Sequence, residues 1–200
     1  MTRRNATVGL VLATIALALV LAGCGDDAPN ADTAEAADGP EAEAQMVQME
    51  AEAPFATTEA IGMELGWRVV GDELEVRVSG PTSGWVAVGF KPSRAMADAN
   101  ILMGYVNGSD VVMTDQFGTS MSTHQPDDEL GGRSDVEVVS GSETSRTTTI
   151  TFRIPLDSGD EYDQPLAAGE TVRVILAYGP NNADDVRTYH VNRTGLEITL

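Results

Sequence analysis

The sequence predicts an all-β fold, an antiparallel β-sandwich, and three observations carry that expectation. From about residue 57 onward, apolar and polar residues alternate over short runs, the period of a strand with one buried face. Gly, Asp, Asn and Ser separate the runs, and these residues build turns. Beyond the first two dozen residues, no stretch sustains a helical period. About nine short strands of this kind suit a sandwich whose end loops are free to carry function.

The chain opens differently. Arg3 and Arg4 precede an apolar run from Val8 to Leu21, and "LAGC" (Leu21 to Cys24) follows. The run is too short for a spanning helix and sits against a small-residue cleavage site, so it reads as an export signal. It resembles bacterial lipoprotein signals, which implies removal of residues 1–23 and a lipid anchor on Cys24, the first residue of the mature chain. Cys24 is the only cysteine, so no disulfide forms within the chain and no thiolate remains for catalysis or metal binding.

Residues 24–56 read as a disordered acidic tether. Between Gly25 and Pro54 there are nine acids, no basic residue and no aromatic, too little apolar surface to fold alone. About thirty flexible residues give a reach near 30 Å. "MVQMEAEA" (Met46 to Ala53) reads as a short helix or as a Met-x-x-Met copper(I) contact. The formal charge is -19, Lys91 is the only lysine, and removing the signal takes away two arginines and no acid. Such a field disfavours nucleic acid and anionic membrane surfaces as partners.

Residues 57–200 form the folded domain. "MELGWRVV" meets "DELEVRV" through Gly71 and Asp72, a hairpin pattern. In "GDELEVRVSG", Leu74, Val76 and Val78 share one face and Glu73, Glu75 and Arg77 the other. "GWVAVGF", "ANILMGYV", "DVVMTDQF" and "DVEVVSG" follow as strands. "TTTITFRIPL" turns Ile150, Phe152 and Ile154 inward, and "TVRVILAYG" and "LEITL" complete the set. No phosphate-binding glycine loop, Gly-x-Ser-x-Gly elbow, His-Glu-x-x-His or Cys-x-x-Cys-His is present. With His124 and His190 the only histidines, a catalytic triad or a multi-histidine zinc site has nothing to draw on, and no enzymatic activity is expected.

"GWVAVGFKPSRAMADANILMGYVNG", "TDQFGTSMSTHQPDDELGGRSDVEVVSG", "LAAGETVRVILAYGP" and "YHVNRTGLEITL" together resemble the DOMON domain. This immunoglobulin-like sandwich is related to the N-terminal part of dopamine β-monooxygenase and to the cytochrome domain of cellobiose dehydrogenase. In its cytochrome-like members a b-type haem is held without covalent linkage at one end of the sandwich. The resemblance implies axial iron ligands at Met96, in the loop after the Gly-Trp strand, and at His190, near the last strand. It further implies Tyr189 against the porphyrin and Arg94, Arg187 or Arg193 on the propionates. A thioether and an imidazole fill both axial positions, so such iron transfers electrons and does not activate oxygen. The expected role is that of a lipid-anchored electron-transfer protein outside the cytoplasm, working with redox partner proteins or quinol-linked donors.

The residues leave alternatives open. Met96 also suits packing at the sandwich end, and Met103, within a strand, suits the core. His124 reads as a solvated loop residue, a second-shell donor or the iron ligand in place of His190. Met113, Met121 and His124 form a copper-type donor set, and Asp127, Asp128 and Glu129 a calcium-type one. A haem-free module binding a sugar would stack it on Trp67, Trp85, Tyr105 or Tyr178.

Overall fold

The computed structural model describes residues 53–200. The export segment, Cys24, the Met46–Met49 pair and all of the tether before residue 53 lie outside the described residues. In chain order the elements are β1 (Ala56–Ala60), β2 (Met63–Val70), β3 (Glu73–Gly80), β4 (Val86–Phe90), β5 (Asn100–Asn107), β6 (Asp110–Phe117) and β7 (Gln125–Pro126). They continue with α1 (Asp127–Leu130), β8 (Glu137–Glu143), β9 (Thr148–Pro155), β10 (Thr171–Tyr178) and β11 (Asn192–Thr199).

Two antiparallel sheets face each other. One has the order β1-β2-β3-β9-β8, the other β11-β10-β4-β5-β6-β7. Alternation decides what lies between them: Leu74, Val76 and Val78 of β3 and Ile150, Phe152 and Ile154 of β9 are buried, as their spacing predicts. Val86, Val88 and Phe90 of β4 meet them from the other sheet. Each fully buried side chain of this size contributes roughly 1.5–3 kcal/mol, so the interleaved faces supply the main driving force.

All nine expected strands form. β1 and β7 escape sequence reading because β1 is a mostly exposed edge and β7 has two residues. β1 begins at Ala56, inside the segment read as tether, and Phe55 just before it is docked. The Arg68 and Arg77 guanidinium carbons lie 4.6 and 4.9 Å from its ring centroid, a cation–π clamp.

The outer face of the five-stranded sheet holds one buried charge. Glu75 sits directly across from Arg68 on β2 and from Arg153 on β9. Its Oε1 accepts from Arg68 Nη2 at 2.8 Å, and its Oε2 accepts from Arg153 Nη2 at 2.7 Å and Nε at 2.9 Å. Burial alone would raise this carboxyl, yet hydrogen bonds from Arg153 and Arg68 and their charges outweigh it, and the net shift is downward.

Candidate functional site

The outer face of the six-stranded sheet is built of small residues in register. Ile175 on β10, Gly89 on β4 and Ile101 on β5 form one cross-strand row, and Ala177, Ala87 and Met103 form the next. A Cβ at Gly89 would lie 2.8 Å from Ile175 Cγ1 and 3.2 Å from Ile101 Cγ1, so the glycine lets the two isoleucines close into an apolar floor. Above this floor lies a cavity of about 700 Å³. Cofactor pockets span roughly 300–1,000 Å³ and are lined mainly by apolar groups. The cavity therefore lies on a sheet face, not at the end of the sandwich where the sequence resemblance places it, because the loops fold back over these small residues.

The loops enter from opposite ends of the face. Phe90, Asn100 and Phe117 align at one end, and Val86, Gly104 and Met113 at the other, four residues or roughly 13 Å along the strands. The loop between β4 and β5 carries Met96 in from the first end. It is held by Ser93 N–H to Ala97 O at 2.9 Å, Ala97 N–H to Arg94 O at 3.0 Å and Asp98 N–H to Gly118 O at 2.8 Å. Lys91, Ala95 and Asp98 adopt positive φ of 49°, 53° and 63°, a conformation costly for residues with a Cβ. Strain of this kind concentrates where surrounding structure over-determines a functional segment. Gly118 permits the approach, since a Cβ there would lie 1.7 Å from the Met96 carbonyl oxygen.

His190 comes from the second end, on the segment before β11. The Trp85 indole donates to Thr188 O at 3.1 Å, and Val191 N–H donates to Tyr178 O at 2.8 Å, fixing the chain on both sides of His190. Asp185 shapes the approach by accepting the N–H groups of Arg187 at 2.7 Å and Thr188 at 2.6 Å. These bonds, the one to Arg187 foremost, hold its carboxyl below the ordinary range.

Met96 and His190 thus line one cavity from opposite ends, with Tyr189 and Arg193 beside them. Arg187 and Arg173 also line it, and Arg173, within the strand "TVRVILAYG", carries no local sequence signal that sets it at a site. Arg173 and Arg193 make no ion pair among the described residues, which leaves two cations of this acidic chain at the cavity for an anionic group. Arg94 is the exception among the expected residues. It is exposed, bridged across the tight turn to Ala97, and does not line the cavity, because Ala95 and Met96 occupy the lining side.

His124 is not the solvated residue its loop suggests. It is half-buried, lines the same cavity, and has its Nδ1 bonded to Gln116 Oε1. Gln116 donates Nε2–H to Thr114 Oγ1 at 2.7 Å, which turns its carbonyl to the ring and makes Nδ1 the donor, leaving a lone pair on Nε2. Burial lowers its pKa, which favours the neutral ring. Gln125 pairs with Phe117, so His124 enters from the Met96 end.

Other expected sets separate. Met113 packs on the main core, where a Cβ on Gly104 would meet its sulfur at 2.2 Å, on the opposite side of β6 from His124. The Met113–Met121–His124 copper set therefore does not converge. Met103 is buried, as its strand position predicts, but in the cavity floor beside Trp85. Trp67 and Trp85 are buried and bonded through their indoles to Thr199 O and Thr188 O; Trp67 does not line the cavity, whereas Trp85 does. Of Asp127, Asp128 and Glu129, only Asp127 is buried.

The DOMON domain family matches residues 61–179. DBH-like monooxygenase protein 1 of Homo sapiens is 31% identical over 132 residues, 66% of this chain and 21% of that protein. DBH-like monooxygenase protein 2 of Mus musculus is 29% identical over 120 residues, 59% of this chain and 18% of that protein. The chain thus spans about a fifth of the length of these relatives, within their DOMON part. Among solved structures, the cytochrome b domain of pyranose dehydrogenase from Coprinopsis cinerea superposes with a TM-score of 0.56 at 16% identity, covering 72% of this chain and 81% of that one. The cytochrome domain of Myriococcum thermophilum cellobiose dehydrogenase gives 0.55 at 10% identity, covering 73% and 81%. The matched stretch takes in every strand from β2 to β10, the floor of the cavity and the Met96 loop, and the chain belongs to the DOMON domain family.

Proposed function

We propose that this domain binds haem b non-covalently in the outer-face cavity, with Met96 and His190 as axial ligands, and carries single electrons outside the cytoplasm. The observation that supports it best is the entry of a thioether and an imidazole from opposite ends into one apolar cavity of about 700 Å³. Haem would supply the one-electron couple; the chain supplies its surroundings. Two protein ligands leave no open coordination site, and the soft sulfur favours the reduced ion and a raised potential. Arg173, Arg187 and Arg193 would pair with propionates, and Ile101, Ile175 and Ala87 exclude water from the ring. His124, on the Met96 side, serves as a neighbour of that ligand. Tyr189 and Val191, 88% and 61% exposed, offer an apolar rim for a docking redox partner. DOMON domains occur in extracellular or secreted proteins, which agrees with an exported chain. Lipidation of Cys24 would then keep the domain at a membrane, its tether allowing transient docking.

A second reading has its own observation. Met96, Met103, His124 and His190 all border the cavity, and two thioethers with two imidazoles also suit copper. The visible spectrum of the purified protein, taken after reconstitution with haem, separates the readings. Sharp reduced α and β bands with a low-spin Soret maximum are expected. A colourless protein that takes up no haem sinks the proposal, and stoichiometric copper in its place establishes the second reading.

A further inference from the structure

A separate cluster of carboxylates lies on the other side of β6. Successive residues of the strand face opposite ways, so Gln116 reaches His124 while Asp115 turns toward the space between the sheets. There Asp115 meets Asp127, the first residue of α1, and Asp163, from the connection between β9 and β10. One carboxylate oxygen from each lies within 4.8 Å of the others. Asp127 is 0% exposed and Asp115 3%.

Asp127 and one oxygen of Asp115 lack partners. Both oxygens of Asp127 and Oδ1 of Asp115 are buried without a hydrogen bond, and so are Asn100 Oδ1 and Asp135 Oδ2. Hydrogen bonds tie Asn100 and Asp135 to the cluster: Asn100 donates Nδ2–H to Asp163 Oδ1, and Asp135 donates its N–H to Asp115 Oδ2 at 3.0 Å. Ser158 donates to the remaining oxygen of Asp163. No Lys or Arg hydrogen bond or ion pair to Asp115, Asp127 or Asp163 is found among the described residues; Arg133 binds Asp135 Oδ1 at 3.0 Å and Asp160 through its backbone. Buried carboxylates without compensation are costly, and they either take up protons or hold a metal.

We infer that Asp115, Asp127 and Asp163, with Asn100 Oδ1 and Asp135 Oδ2 at hand, form a binding site for a divalent cation of the calcium class. The donors are all oxygen, three of them anionic, and calcium accepts six to eight such ligands in flexible geometry, waters included. Magnesium demands a tighter octahedron and keeps its water. Without a cation, burial foremost pushes Asp115 up to about 7, against the Asp135 N–H bond and with help from neighbouring carboxylates, and burial with neighbouring carboxylates pushes Asp127 to about 8. The site ties together segments that are distant in sequence: β5 and β6, the β7–α1 segment that follows His124, and the β9–β10 connection. The last also reaches the Met96 loop, where Gln164 Nε2 donates to Asp98 O at 2.8 Å. A bound cation would therefore fasten the Met96 end of the cavity from behind, whatever the cavity holds.

The test uses the full chain, stripped with chelator and then titrated with calcium chloride or terbium(III). One equivalent of terbium is expected to bind with sensitised emission, since Tyr162 lies beside the cluster, bonded to Leu130 O at 2.9 Å. Calcium should displace the terbium and raise the melting temperature, while magnesium at equal concentration does neither. Asp127→Asn should weaken calcium at least 100-fold and yet leave the stripped protein as stable as the wild type or more so, because a buried charge has gone. Asp128→Asn, exposed on the same turn, should keep the full response. Absence of a calcium-dependent shift in the wild type overturns the inference. So does an equal shift in Asp127→Asn, which would reduce the effect to screening of the acidic surface.

Discussion

At the scale of single residues, the two histidines differ in what they are free to do. His124 has one ring nitrogen engaged by Gln116 and enters from the same end as Met96; His190 enters from the opposite end of the cavity. On the haem proposal, His190→Ala should abolish the six-coordinate low-spin spectrum, Met96→Ala should give a five-coordinate form, and His124→Ala should leave the bands within a few nanometres of the wild type. A reversal of the two histidine outcomes would move the ligand to His124. Glu75 carries a second expectation, one that concerns stability alone. Glu75→Gln leaves Arg68 and Arg153 facing a neutral amide, at a cost of roughly 2–3 kcal/mol, below the 3–5 of fully buried pairs because Arg153 is partly open to water. The folded carboxyl titrates below its ordinary value of 4.5, so its contribution is complete above that pH and fades as pH falls through the folded value. Thermal melts of the two proteins should differ at pH 7 and converge in acid, and a constant offset down to pH 2 would remove the ion pair as the cause.

At the scale of elements, the Met96 loop depends on a contact with the end of β6. Gly118→Ala places a methyl on the Met96 carbonyl, with backbone on both sides, and costs about 3 kcal/mol by overpacking. Chemical denaturation should show that loss, and, with haem bound, the methionine-ligated spectrum should weaken as well. An unchanged midpoint would mean that the loop is not fixed where it stands. The strands themselves were legible, since alternation reports which face each residue turns to the core. Their cross-strand registers were not, and the site is written in registers. Ala87, Gly89, Ala177 and Gly195 read as unremarkable small residues until pairing sets them side by side beneath one cavity. Arg173 reads as a polar strand position for the same reason. Glu75 lies on the face opposite the core, as alternation predicts, and its burial there follows from two arginines that no local pattern brings near. His124 was read as solvated because Gln116, the partner that orients it, belongs to the preceding strand. That Met96 and His190 share one cavity was foreshadowed only by the family resemblance, and of the consecutive Asp127, Asp128 and Glu129 only Asp127 joins the buried carboxylate group, whose other members come from two other segments.

At the scale of the whole molecule, the formal charge of -19 sets how the protein responds to salt. Carboxylates on a compact domain repel one another, and unfolding relieves the repulsion, so screening should favour the folded state. The surface ion pairs pull the other way, but exposed pairs such as Arg77–Glu64 are each worth about 0–1 kcal/mol and are few beside the excess of acids. The balance therefore predicts stabilisation. Raising sodium chloride from about 10 mM to about 1 M shortens the screening length from roughly 30 Å to 3 Å. The melting temperature of chelator-treated protein should climb by several degrees over that interval, with most of the gain below about 0.2 M, where screening first reaches the spacing between neighbouring carboxylates. Sodium sulfate at equal ionic strength should give a further rise from its exclusion at the surface. A melting temperature that falls with sodium chloride would show that attractive pairs dominate, and that the acidic surface is arranged so finely that its repulsions are already offset in the fold.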